Sequence, residues 1–197
     1  AATLTNDNAR KEAIYKKTVE LYPNDFRAYN NLGMMAYANG DLATAENYFK
    51  QAASKNANAA EVNTNLGLIE LTKGNVANAE TYLSKSTGAN TANEALGNLY
   101  IKQGQYDRAV QAFGDTKTNS AALAQILAKD YNKAKSTLSA VKNPDAYTNY
   151  LMAVVGARTN NADLVKSSMD KVKQQDAALA AKAQNDREFA KYANEVK

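Results

Sequence analysis

The sequence predicts an all-α fold assembled from antiparallel helix pairs, and three observations carry that expectation. Six of the nine glycines fall in pairs seven residues apart, Gly33 with Gly40, Gly67 with Gly74 and Gly97 with Gly104. The pairs recur after 34 and then 30 residues, the length of one helix–turn–helix unit. Only two prolines, Pro23 and Pro144, interrupt the 197 residues, and a helix interior tolerates proline worst of all residues. The apolar 45% includes only four Phe and no Trp, a makeup that suits closely approaching helices better than a thick sandwich or barrel.

Taken in order, Asp7 to Tyr22 followed by Pro23-Asn24-Asp25 reads as the second helix of a pair whose first helix is not in the chain. The same pattern is then written three times. It runs Asn31-Leu32-Gly33 to Gly40-Asp41, Asn65-Leu66-Gly67 to Gly74-Asn75, and Ala95-Leu96-Gly97 to Gly104-Gln105. Each copy is followed by an alanine and, four residues on, a large apolar side chain: Ala45 and Phe49, Ala79 and Leu83, Ala109 and Phe113. The first glycine of each pair costs its helix about 1 kcal/mol, an expense that close approach of the neighbouring helix would repay. The second glycine ends the helix in the left-handed conformation. Asp41 or Asn75 is then expected to cap the second helix. Downstream the pattern fades. A short first helix near Ser120 to Ala128 precedes a second one with Asp130-Tyr131, Ala134 and Leu138. Pro144-Asp145 opens a further pair, Ala146 to Arg158 and Ala162 to Gln174. Asp176 to Glu195 closes the stack, with Phe189 and Tyr192 over its last apolar face.

These motifs resemble the tetratricopeptide repeat family, most closely over residues 26–113. Tyr29, Leu32, Gly33, Gly40, Ala45, Phe49 and Ala52 stand at family positions in the first full repeat. Asn63 takes the aromatic position of the second repeat, and Tyr100 and Tyr106 reinforce the third. The resemblance implies a right-handed α-solenoid with a C-terminal capping helix, expected as one array over residues 1–197. Within it, 7–22 is the second helix of a truncated repeat, 26–59, 60–89 and 90–114 are full repeats, 115–143 and 144–175 are degenerate ones, and 176–197 is the cap. Intervals that shrink from 34 to 30 to 25 residues lead us to expect a less regular groove after residue 85.

The resemblance also implies a function: a scaffold without enzymatic activity that binds a peptide segment or protein surface in a concave groove lined by first helices. Family groove positions carry over to Arg27, Asn30, Asn31, Met34 and Tyr37 in the first repeat. They fall on Glu61, Thr64, Asn65, Leu68 and Leu71 in the second, and on Thr91, Glu94, Ala95, Asn98 and Ile101 in the third, with Lys102 beside them. Asn31 and Asn65 stand where family members hold a peptide backbone, which suits an amide that both donates and accepts. Met34, Tyr37, Leu68, Leu71 and Ile101 form an apolar strip, whether facing a partner or packed between helices. Chaperone-binding members clamp a terminal carboxylate with Lys and Arg. Here those places hold Asn30, Thr91 and Ala95, so the expected ligand is an internal segment or a folded surface.

Composition narrows the chemistry. With no Cys and no His, there is no disulfide framework, no thiolate zinc site and no imidazole base, and no cofactor or metal is expected. Residues 1–100 hold nine Lys/Arg against ten Asp/Glu, and residues 101–197 hold fifteen against ten. That surplus leaves open a nucleic-acid-binding helical repeat such as the related pentatricopeptide arrays, against which the Leu–Gly signature argues. An enzyme built on paired carboxylates is the third reading. The longest apolar run, Leu151 to Ala157, falls far short of the roughly 20 residues of a membrane helix. A first residue other than Met and a start half-way through a repeat lead us to expect part of a larger protein. The Ala-, Asn- and Lys-rich makeup and the closing Asp186 to Tyr192 resemble repeat segments of bacterial cell-envelope proteins.

Overall fold

In a computed structural model of the chain the described residues are 2–86 and 88–196, with side chains described from residue 7 onward. Among them all regular structure is helical, and the chain divides into two compact units, residues 1–96 and residues 97–197.

The first unit contains α1 (Ala2–Leu21), α2 (Phe26–Ala38), α3 (Leu42–Lys55), α4 (Ala60–Thr72), α5 (Val76–Ser84) and the start of α6 (Asn90–Lys102). Helix α1 begins earlier than expected, because no Gly or Pro between residues 2 and 21 stops it. Its core is the buried set Tyr29, Ala45, Phe49, Ala52, Ala59, Val62, Leu66 and Ile69. Gly33 and Gly67 sit where the pairs touch. A Cβ at Gly33 would lie 2.5 Å from the Phe49 ring, and one at Gly67 would lie 2.6 Å from Leu83. The glycines are therefore the contact surface for the second helix of their own pair.

The aromatic position of the repeat turns out to anchor a loop. Tyr29 donates its hydroxyl to the Pro23 carbonyl at 3.2 Å. Asn63, at the same position one repeat on, is buried and donates its amide to the carbonyls of Ala57 (2.9 Å) and Ala59 (3.0 Å). Pro23 and Ala57 also stand 34 residues apart, so two different side chains tie down one loop.

The second unit holds the rest of α6, then α7 (Tyr106–Phe113), α8 (Asn119–Leu127), α9 (Tyr131–Ser139), α10 (Ala146–Arg158), α11 (Ala162–Gln175) and α12 (Ala177–Ala183), closed by a 3-10 helix (Arg187–Tyr192). Gly97 faces Phe113 as Gly33 faces Phe49, with a Cβ placed at 2.5 Å. In the fading repeats Ala122 and Ala153 stand at the glycine position of the repeat and Leu138 and Met169 at its large apolar position, and all four are buried in one cluster. Phe189 is buried against Tyr150, edge to face at 5.7 Å. Arg158 pairs with Glu188 (Nη2–Oε2, 2.7 Å), so the cap is held by both packing and charge.

All five hairpins turn in the same way. The N–H of Asp41, Asn75, Gln105, Asp130 and Asn161 bonds the carbonyl of Ala36, Glu70, Tyr100, Gln125 and Gly156 at 2.8–2.9 Å, the six-to-one bond of a helix C-terminal motif. The residue before each donor has positive φ: Gly40 (80°), Gly74 (79°), Gly104 (72°), Lys129 (65°) and Asn160 (54°). The expected loss of regularity therefore does not extend to the turns.

One expectation needs correction. Asp41, Asp130 and Asn161 do cap α3, α9 and α11, but Asn75 makes no side-chain cap bond to α5. Its amide donates instead to Glu70 at 2.9 Å. A buried carboxylate is a stronger acceptor than solvent, and it draws the amide away from the cap.

Candidate interaction surface

The groove positions of α2 and α4 lie side by side, joined by one direct bond: Asn65 Nδ2 donates to Asn30 Oδ1 at 2.9 Å. Asn30 is buried and also points its amide at the Met34 sulfur, 3.8 Å away. Thr64 is buried and returns its hydroxyl to the Ala60 carbonyl at 2.8 Å. These two residues build the wall from inside rather than present polar atoms on it. Asn31 and Asn65 are half-buried, and the Asn31 amide has no hydrogen-bond partner among the described residues.

Met34 and Tyr37 are 52% and 42% exposed, whereas Leu68 and Leu71 are half-buried. Arg27 folds back onto its own helix: Nε and Nη2 donate to the two carboxylate oxygens of Asp25 at 2.9 and 2.8 Å. Asp25 also caps α2 through the Arg27 N–H. That pair holds the Asp25 carboxyl below, and the Arg27 guanidinium above, its ordinary value. Glu61 is exposed. Asn98 and Lys102 are exposed and Ile101 half-buried on the part of α6 that belongs to the second unit.

Behind the wall of the first unit lies a charge network that the sequence did not reveal. Lys73, just past α4, reaches Glu46 on α3 (3.1 Å) and Glu70 (3.2 Å). Glu70 further accepts from Asn75 and Asn78, and Asn75 first among these partners holds its carboxyl below the ordinary value. Only the recurrence of polar side chains at this otherwise buried position, Glu70 and later Gln125, could have signalled it. Among the described residues no group of three or more acids is placed to hold a metal ion, and no helix is long and apolar enough to cross a membrane.

Hairpins with glycine-faced first helices, repeated with a common turn, define a helical-repeat protein of the kind that presents a wall of first helices. The tetratricopeptide repeat family matches the sequence at residues 14–47, 35–94 and 93–117, and the chain belongs to that family. Solved structures agree on the fold. A crystal structure of YrrB, described as a TPR protein with an unusual peptide-binding site, is 19% identical over 86% of this chain and 97% of its own, with TM-score 0.67. The Pseudomonas aeruginosa pilF protein is 13% identical over 98% of this chain and 92% of its own, with TM-score 0.72. PilW, described as a widely conserved type IV pilus biogenesis factor, is 19% identical over 96% of this chain and 92% of its own, with TM-score 0.62. No curated protein sequence matches the chain.

Proposed function

We propose that this protein is a non-enzymatic interaction scaffold whose α2–α4 wall holds an internal segment of a partner protein. Met34 and Tyr37 carry the reading. They are large apolar side chains left open on α2, the helix whose Tyr29 and Leu32 are fully packed. Exposed Met and Tyr are the residue types enriched at protein interfaces. Asn31 and Asn65 supply amides for a peptide backbone, and Asn30 fixes the orientation of the second. Peptide binding is described for YrrB, and the same kind of ligand suits this wall.

The charge pattern favours a protein partner over nucleic acid. In the second half five lysines lie on second helices, Lys133 and Lys135 on α9 and Lys166, Lys171 and Lys173 on α11, while the first helix α6 carries one, Lys102. Helix α8 carries no charge, and α10 carries only Arg158, already paired with Glu188. First helices of this composition make no basic track for phosphates.

The test is capture of partners from the native organism by the intact protein, compared with its Met34→Ala/Tyr37→Ala variant. Removing two exposed side chains should reduce recovery about tenfold and leave the melting temperature within about 3 °C. Undiminished recovery would remove this wall from the site. Asn31→Ala/Asn65→Ala is a second variant, but it strips Asn30 of its donor, so it carries a stability cost of about 1 kcal/mol.

A further inference from the structure

The second unit has a cleft of about 460 Å³ lined by Asp145, Ala146, Tyr147, Gln175, Asp176 and Leu179. Both acids cap helices. Asp145 Oδ1 accepts from the Thr148 N–H (2.8 Å), the Thr148 hydroxyl (2.8 Å) and the Asn119 amide (3.2 Å). Asp176 Oδ1 accepts from the Leu179 N–H at 2.9 Å. On each side chain the second carboxylate oxygen has no hydrogen bond, and neither residue is in an ion pair among the described residues.

The aromatic side of the cleft is held rigidly. Tyr147 is 40% exposed, and its ring stacks on Tyr150 with centroids 6.1 Å apart and planes 10° from parallel. Tyr150 is pinned behind it, donating its hydroxyl to Asp186 and packing edge-on to Phe189. Gln175 is fixed as acceptor for the Asn149 amide at 2.8 Å.

Charge decides what such a cleft takes. The N-termini of α10 and α12 contribute about half a positive charge each and the C-terminus of α11, ending at Gln175, about half a negative one, against two full carboxylate charges. The balance is about one and a half negative charges beside an open aromatic face. The Thr148 backbone N–H holds the Asp145 carboxyl below its ordinary value, so the group is ionised at neutral pH.

We propose that this cleft receives an arginine side chain of a partner protein, its guanidinium stacked on Tyr147 and its N–H groups on the free oxygens of Asp145 and Asp176. A guanidinium meets both demands at once, because it stacks as a plane and donates in a fork, which an ammonium does not. The cleft belongs to the second unit and the α2–α4 wall to the first, and either reading stands without the other.

The test is a nuclear magnetic resonance titration of the intact protein with acetyl-Gly-Arg-Gly-amide and with its uncharged citrulline counterpart. The arginine peptide should give saturable shifts at the Thr148 and Leu179 amides and the Tyr147 ring, weakening as salt is added. Citrulline should bind at least about tenfold more weakly. Asp145→Asn with Asp176→Asn keeps both caps, since asparagine caps as well as aspartate, and should abolish the response at an unchanged melting temperature. Tyr147→Leu should weaken binding about threefold. Equal binding of citrulline, survival of binding in the double asparagine variant, undiminished binding in Tyr147→Leu, or no saturable shift at these residues would each overturn the proposal.

Discussion

An added methyl group at Gly33 has nowhere to go: its carbon would stand 2.5 Å from Phe49, whose ring is itself buried. Gly33→Ala should therefore cost about 1–3 kcal/mol through overpacking, read as a fall in the urea midpoint. The same change paired with Phe49→Ala should cost less than the two single changes added together, because removing the ring removes the atoms that a Cβ at Gly33 would meet. Additive costs would show that the two side chains do not share one contact. Asn63 is a different case, since its value lies in two hydrogen bonds to carbonyls. Asn63→Leu keeps the branched shape and leaves the Ala57 carbonyl unpaired, while Ala59 still accepts from the backbone N–H of residue 63; the loss should cost about 1–3 kcal/mol and speed hydrogen exchange at the start of α4.

At the level of elements, the glycine pairs revealed three hairpins because glycine is demanded twice there, once by contact and once by a positive φ. The fourth hairpin meets both demands without glycine, and the fifth moves its close contact to Gly156, where a Cβ would stand 3.0 Å from the Val165 nitrogen, which is why their pattern faded. Ala122 suffices at the contact of the fourth, and Lys129 and Asn160 accept the left-handed turn. No residue type signals a tolerated cost. The wall was legible as a set of positions, but not the division within it: burial of Asn30 and Thr64, and the turn of Arg27 onto Asp25, depend on neighbours in space. The unfavourable turns can be relieved. Lys129→Gly should raise stability by about 0.5–1 kcal/mol, as the left-handed penalty of an ordinary side chain exceeds the entropy cost of glycine. Asn160→Gly should gain less, since asparagine bears that conformation more readily. A Lys129→Gly protein with a lower urea midpoint would mean that the lysine side chain contributes a contact worth more than the turn.

For the molecule as a whole, the absence of histidine and cysteine removes the side chains that ordinarily titrate around neutrality, so stability should be flat between about pH 5.5 and 7. Below that range the direction is set by the carboxylates. Glu70 is held below the ordinary 4.5 first by Asn75, and Glu46 first by Lys50 and then by Lys73. A carboxyl whose folded value is lowered stabilises the fold above its unfolded value, and the contribution is lost as pH falls through the folded one. The urea midpoint should thus begin to drop near pH 4.5 and continue downward. Asp25, Asp41 and Asp170 shift the same way, but they are close to solvent and salt should mute them. Glu46 and Glu70 are the more enclosed pair, joined through Lys73. Glu70→Gln with Glu46→Gln should therefore flatten the acid slope more than neutralising the three aspartates. A buried glutamine, Gln125, stands at the position equivalent to Glu70, so the volume of the substitution at residue 70 is one that the repeat holds. A midpoint that moves between pH 5.5 and 7, or an acid slope untouched by the two glutamines, would mean that other groups govern the stability of this chain.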